Sequence, residues 1–373
     1  TAIIGPKKTS TQELVMTETD IYKQLAHHLD HLPAGFPATE SGVELRILRR
    51  LFTPTEAQTA LLLSMIPETV ADIAERSGQD AEQLAPLLEE MSRKGLIFRS
   101  LRNGTLRYGA NQFAVGIWEY QVNRLDKDLI RDVNEYIPHL IRNGWGQHKT
   151  KQLRVVPVAQ SVSAEMKIMP YEAAEEIIKK QKKIVVAPCI CRKEHAMVGE
   201  GCGKLAEACL IFGTGADYYE GNGLGRGIDH EEALQILGQA VAQGLVLQPG
   251  NAKKPSNICM CCGCCCQILK NIKSMEHPAR FIDSNWYAQV SEEDCTACGL
   301  CAERCQMEAI TIDAAAIIDR DRCIGCGLCV PACDFEALSL REKTGQPRYE
   351  PPRTVVETYI NMARDRGLLV AKK

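Results

Sequence analysis

Two runs of cysteine have a spacing that metal chemistry explains. The first is Cys295-x2-Cys298-x2-Cys301-x3-Cys305, and the second, 28 residues further on, is Cys323-x2-Cys326-x2-Cys329-x3-Cys333. Cys-Gly-Leu-Cys recurs at 298–301 and 326–329, and the units close alike on Glu308-Ala309-Ile310 and Glu336-Ala337-Leu338. An iron–sulfur cubane takes four thiolates, one per iron. A tight loop can wrap three of them around one cube, and Gly299, Gly325 and Gly327 let the backbone come close. The cysteine after the three-residue gap points to a second cube. Zinc fits this pattern poorly, because its closed tetrahedron is commonly supplied by two separated Cys-x2-Cys pairs.

Over about residues 286–342 the pattern resembles the bacterial two-cluster ferredoxin family. The resemblance implies two [4Fe–4S] clusters that pass single electrons. It also implies crossed ligand sets. Cluster I takes Cys295, Cys298, Cys301 and Cys333; cluster II takes Cys323, Cys326, Cys329 and Cys305. The family usually has proline after the fourth cysteine, where this chain has Gln306 and Asp334, so the local turn departs from the pattern. Residues 291–341 contain ten acids and four arginines, a net charge of −6. An acidic face of this kind favours a basic redox partner, although surface acids also keep a small domain soluble.

Ten of the 18 cysteines remain, and none precedes Cys189. Cys189, Cys191, Cys202 and Cys209 are spread over the middle of the chain. Six more are packed into Cys259-Met260-Cys261-Cys262-Gly263-Cys264-Cys265-Cys266. Cysteine buries readily, but a core would not choose it six times here, so the reading is metal binding, with iron–sulfur ahead of zinc. If the stretch is extended, alternate side chains share a face. Cys259, Cys261 and Cys265 then face one way, and Cys262, Cys264 and Cys266 the other. Each trio, completed from Cys189, Cys191, Cys202 or Cys209, seeds a further [4Fe–4S] cluster. If the stretch is coiled, one further cluster is the safer number. The middle resembles multi-cluster electron-transfer proteins of anaerobes as a type. Cys261-Cys262-Gly263 resembles the Cys-Cys-Gly motif of heterodisulfide reductases, although the remaining spacing does not match. His195, four residues after Cys191, could ligate iron or pass protons; an ordinary loop histidine is the plainer reading. The glycine-rich stretch from Gly213 to Gly227 lacks the dinucleotide fingerprint and reads as a loop close to a cluster.

The elements that must position these residues are legible in part. Residues 1–40 read as an arm with a helix near Ile21–Leu32. Helices follow at Val43–Leu51, at Thr55–Met65 behind Thr53 and Pro54, at Thr69–Arg76 before Gly78, and at Ala81–Lys94 behind Asp80. Strands at Leu96–Ser100 and Thr105–Tyr108 are joined by Arg102-Asn103-Gly104, a hairpin signal. Three helices and a hairpin in this order resemble a winged helix-turn-helix. The helix in the recognition position is acidic, with Asp80, Glu82, Glu89 and Glu90, and would repel phosphates. Packing or dimerisation is the plainer use, with Arg99, Arg102 and Arg107 as the argument for DNA. Asp126–Leu140 reads as a helix. Strands at Leu153–Val158 and Lys183–Ala187 flank a helix at Pro170–Lys180, and Asp229 caps a helix ending at Gln243. That alternation suggests a small α/β domain, with Pro188-Cys189-Ile190-Cys191 in a loop at a strand end, a usual place for ligands.

The fold class expected is therefore α+β and multidomain: an arm (1–40), a winged-helix-like and helical domain (41–150), an α/β cysteine-rich domain (151–285), a two-cluster ferredoxin domain (286–345) and a tail (346–373). The 373 residues allow two or three domains, and a net charge of −3 says little about partners. No apolar run is long enough to span a membrane, and residues 1–19 lack the blocks of a secretory signal. A soluble protein of an anaerobic or reducing cytoplasm is expected, acting as an electron-transfer component of an oxidoreductase. Its partner would be a redox protein with a basic docking face; nucleic acid is not expected, and a homo-oligomer is left open. Two rivals are a redox-sensing winged-helix transcription regulator and a reductase with an open iron in the middle domain.

Overall fold

Capping side chains set most helix starts in the front of the molecule. The computed structural model describes residues 18–345 and 347–369, the side chains of 18–20 excepted. Most of the arm's first half and the last four residues lie outside that range. Helices run over Glu18–Asp30, Val43–Leu51, Pro54–Ala60, Val70–Ser77 and Ala81–Arg93. Thr53 and Thr69 each form a capping box, with Glu56 and Asp72, and such caps contribute about 1 kcal/mol each. A hairpin follows, β1 (Phe98–Arg102) and β2 (Thr105–Gly109). Its turn residues Asn103 and Gly104 both take positive φ, 51° and 75°, as a two-residue hairpin turn requires. Two of the hairpin's arginines meet acids of the preceding helices. Arg99 pairs with Glu89 and Arg107 reaches Asp72.

The middle is built on one sheet. β3 (Ile184–Pro188), β4 (Glu207–Phe212), β5 (Arg226–Ile228), β6 (Val246–Pro249) and β7 (Asn257–Cys261) form five strands in the order β5-β3-β4-β7-β6. Every pairing is antiparallel, unlike the parallel arrangement that strand–helix alternation usually signals. Leu153–Val158 forms no strand. It makes single bridges from Leu153 to Gly250, Arg154 to Asp283 and Val156 to Leu247, so its bridges are shared between two segments. The glycine-rich stretch is also not the loop expected. Gly213–Gly221 is a helix, and a Cβ on Gly225 would stand 2.5 Å from the Val186 carbonyl. Here the glycines admit close packing on β3. The expected tail is a helix, Val355–Asp365, tied back through Thr358 to Asn251 and through Arg366 to Asp30 and Leu32.

The last unit pairs β8 (Trp286–Val290) with β11 (Leu338–Glu342), and β9 (Ile310–Ile312) with β10 (Ala316–Ile318). One apolar core runs from the front helices through the sheet into these strands. Helix Lys127–Asn143 is a spine, packing on helix Val43–Leu51 in front and on helix Gln267–Lys273 behind.

His148 is buried with neither ring nitrogen bonded. Burial, then Arg366 and Lys151, lower its pKa from 6.5 to about 4. The unfolded chain therefore binds a proton that the folded chain refuses, and stability falls as pH drops through that window. The loss by pH 5 is expected to be about 2 kcal/mol. A His148→Leu variant should be more acid-tolerant than the wild type by that margin in denaturant titrations at pH 5 against pH 7.

Candidate metal centres

The eight cysteines of the repeats line two cavities. One is bounded by Cys295, Cys298, Cys301 and Cys333, the other by Cys305, Cys323, Cys326 and Cys329. Each set takes three thiols from one repeat and one from the other. The backbone repeats the same symmetry at a 28-residue offset. Ala297 and Gly325 are left-handed (φ 53° and 68°), as are Gly299 and Gly327 (84° and 76°) and Glu308 and Glu336 (53° and 54°). The Ala288 N–H donates to Cys323 Sγ at 3.4 Å, and the Ala316 N–H to Cys295 Sγ at 3.3 Å. Such bonds stabilise thiolate charge and tune whatever the sulfurs hold.

Symmetry stops at the surroundings. Cys298 is exposed, while Cys323 and Cys329 are buried. A Cβ on Gly325 or Gly327 would stand 2.1 Å from Trp286 O or Ser161 Oγ, whereas nothing lies within 4 Å of one on Gly299. The second quartet thus presses on the body of the protein and the first faces outward. Around the first quartet, Leu300, Ile312 and Phe335 are exposed. Burial pushes the Cys326 thiol up to about 12 and the Cys329 thiol well above its ordinary value. These thiols stay protonated unless a metal claims them, since a coordinating thiol is deprotonated outright.

Gln306 has a specific job. Its Oε1 accepts from the Gly263 N–H at 2.8 Å, so the residue after Cys305 joins the cysteine-rich turn directly. Proline there would lack this acceptor. The fit is close: a Cβ on Gly263 would stand 2.1 Å from the Gln306 carbonyl oxygen. Gly263→Ala is expected to cost about 1–3 kcal/mol by overpacking. Thermal unfolding would show it as a lowered midpoint.

The ten middle cysteines divide four and six. Cys202, Cys262, Cys264 and Cys265 have their sulfurs within 4.8 Å of one another. Cys189, Cys191, Cys209, Cys259, Cys261 and Cys266 line one apolar cavity. This is not the division that strict alternation predicts, because Cys265 and Cys266 trade sides. β7 ends at Cys261, the chain turns over 263–265, and helix Gln267–Lys273 begins. The Cys266 N–H returns to the Cys262 carbonyl at 3.3 Å, so extended-strand parity fails beyond Cys264.

The six thiols form a continuous series in which each meets the next: Cys189, Cys191, Cys266, Cys261, Cys259, Cys209. Cys209 and Cys259 are cross-strand partners, Sγ to Sγ 3.9 Å. Asn257 Nδ2 donates to Cys259 Sγ at 3.5 Å. The cavity beside them, of about 70 Å³, is walled by Trp118, Ile137, Leu140 and Trp145. Glu119 lines it too. Burial raises the Glu119 carboxyl to about 8, with Cys259 and Cys266 adding to the rise against hydrogen bonds from the Gly116 and Glu119 N–H groups.

Arg192 stands between the two middle sets. Both its terminal nitrogens donate to the Met260 carbonyl at 3.1 Å, and one approaches Cys262 Sγ at 3.8 Å. Burial opposes ionisation of Cys262, but the Cys265 N–H, Cys264 and Arg192 together lower its pKa to about 7. His195 is not a ligand in this arrangement. It lies on helix Ile190–Met197, with Nδ1 at 2.8 Å from the Cys191 carbonyl and Nε2 at 3.3 Å from Lys270 Nζ. Sequence reasoning missed Glu119 altogether and left Arg192 without a role. Neither carries a local signal; only the fold brings them to the thiols.

Residues 288–311 and 316–339 match the model of the 4Fe-4S binding domain. The match covers both cysteine repeats and leaves out the front and the middle. No curated protein and no solved structure matches the chain. The carboxy-terminal region is thus a 4Fe-4S binding domain, which points to iron–sulfur electron transfer. No helix among the described residues is long and apolar enough to cross a membrane.

Proposed function

We propose that this chain relays single electrons between a basic redox partner and thiolate-held centres in its middle. The observation that carries this reading is the Gly263–Gln306 hydrogen bond. It links the second quartet's Cys305 to the cysteine-rich turn through neighbouring residues alone. The repeats act as a two-cluster ferredoxin domain, with Cys295, Cys298, Cys301 and Cys333 holding cluster I and Cys305, Cys323, Cys326 and Cys329 holding cluster II. The six-thiol site offers enough ligands for a further [4Fe–4S] cluster. When bound, such a cluster accepts and returns one electron at a time.

The residues around these sites divide the work. Exposed Leu300, Ile312 and Phe335, set among Glu292, Glu293, Asp294, Asp313 and Asp334, form the docking face for a basic partner. Burial and N–H···S bonds tune the inner set. The winged-helix-like front serves packing: Arg99 is taken up by the half-buried Glu89 and the acidic helix Ala81–Arg93 lies beside the hairpin, which supports a protein partner over nucleic acid. The setting is a reducing, anaerobic cytoplasm.

Anaerobically purified, dithionite-reduced protein mixed with cytochrome c, a basic one-electron acceptor, tests this. Rapid oxidation that slows as salt rises is expected. Absence of transfer at any ionic strength would remove the relay reading. The apolar cavity with Glu119 at its wall favours a second reading, a reductase acting in that cavity. EPR spectra that shift when small oxidants are added would select it.

A further inference from the structure

The four-thiol set of the middle is more tightly gathered than a cubane permits. The sulfurs of Cys202, Cys262, Cys264 and Cys265 lie within 4.8 Å of one another, and those of Cys264 and Cys265 are 3.8 Å apart. One tetrahedral ion with bonds of about 2.3 Å sets its sulfurs about 3.8 Å apart. A cubane carries each thiolate on its own iron, which spreads the sulfurs to roughly 6 Å. The repeat quartets are an internal standard. Among the described residues no other group of three or more His, Cys, Asp or Glu ligand atoms is gathered as a candidate for one metal ion, so the quartets matched to 4Fe-4S binding are more open.

We infer that Cys202, Cys262, Cys264 and Cys265 hold a single divalent metal ion, zinc or ferrous iron, in a closed tetrathiolate site. Thiolate donors and tetrahedral shape select these ions over magnesium or calcium. Four thiolates around a dication leave two negative charges, and the Arg192 guanidinium beside Cys262 Sγ offsets part of them. Three ligands come from the single turn 262–265, and the fourth from the loop between Met197 and Glu207. The ion therefore pins that loop to the turn whose Gly263 rests on Gln306. Its task is to hold the middle against the 4Fe-4S domain, a role that stands whether or not the chain relays electrons.

Metal and acid-labile sulfide analysis of the full chain, purified without oxygen, tests the inference. A zinc site gives about one zinc per chain, with iron equal to sulfide. A ferrous site gives iron exceeding sulfide by about one per chain. In Cys264→Ser, at the exposed ligand, that ion alone is lost, while sulfide and the EPR signals of the repeat clusters stay. Wild-type iron equal to sulfide with no zinc overturns the inference. So does a Cys264→Ser variant that keeps the ion, or one that loses about four sulfides. If Cys264→Ser does not fold, the wild-type ratio decides.

Discussion

Cys333→Ser is expected to strip the cluster that belongs to the other repeat. Cys333 lies in the second repeat, yet it bounds the cavity of Cys295, Cys298 and Cys301. The variant should lose about four irons per chain, and the trio Cys323, Cys326 and Cys329 with Cys305 should stay loaded. Double variants make the crossing visible. Cys298→Ser combined with Cys333→Ser should lose no more iron than either alone, because both empty one set. Cys326→Ser combined with Cys333→Ser should lose about twice as much, because the sets are separate. Uncrossed sets would reverse the two results, so iron analysis under anaerobic conditions decides.

The same substitutions should act unequally on stability. Binding free energy in a small metal domain is folding free energy. The first quartet faces solvent, with Cys298 exposed and open space beside Gly299. The second quartet is pressed against Trp286 and Ser161. Emptying the second set therefore loosens its contacts with Trp286 and with the 159–161 turn as well, and Cys326→Ser should lower the thermal midpoint more than Cys298→Ser.

Local chemistry made part of this structure legible. Capping at Thr53, Asp80 and Asp229 marks helix starts that the structure contains. Each signal lies within a few residues and needs no tertiary partner. The hairpin at Asn103-Gly104 and the two cysteine repeats are of the same kind. What failed depended on distant chain. Leu153–Val158 has strand-like composition, but its partners are Gly250, Asp283 and Leu247, about a hundred residues on. Alternation along Cys259–Cys266 held only while the chain remained extended. A tight turn after Cys262 moved Cys265 to one set and Cys266 to the other. Gln306, visible as a departure from a pattern, is explained by Gly263, which only the fold brings against it. Glu119 shows the limit most clearly: it comes to the thiols from the front of the chain, on the short helix Trp118–Tyr120.

Arg192→Leu is expected to unload the middle sites and destabilise the protein. Arg192 is buried at 5% exposure among groups that carry or develop negative charge. Burial alone would lower its pKa, but Cys189, Cys261 and Cys262 outweigh that and hold the guanidinium charged. It serves two neighbours together, the Met260 carbonyl through both terminal nitrogens and Cys262 Sγ through one. Leucine fills similar space without charge or donors. Cys262 Sγ then loses the one cation that hydrogen-bonds it among the described residues, Cys189 and Cys261 lose a neighbouring positive charge, and the Met260 carbonyl loses its side-chain donor. Breaking a buried ionic contact on one side costs about 3–5 kcal/mol. Metal analysis should show ions missing from the middle while the repeat clusters remain, and the thermal midpoint should fall. Arg192→Lys separates charge from geometry. Lysine restores a cation but cannot span carbonyl and sulfur with a planar fork. It should recover part of the metal content and less of the stability. Added salt should rescue neither variant, because the contact lies where mobile ions do not reach. A variant that keeps full metal content would mean that the thiolates are held without this cation, and that Arg192 serves only to tie helix Ile190–Met197 to Met260 on β7.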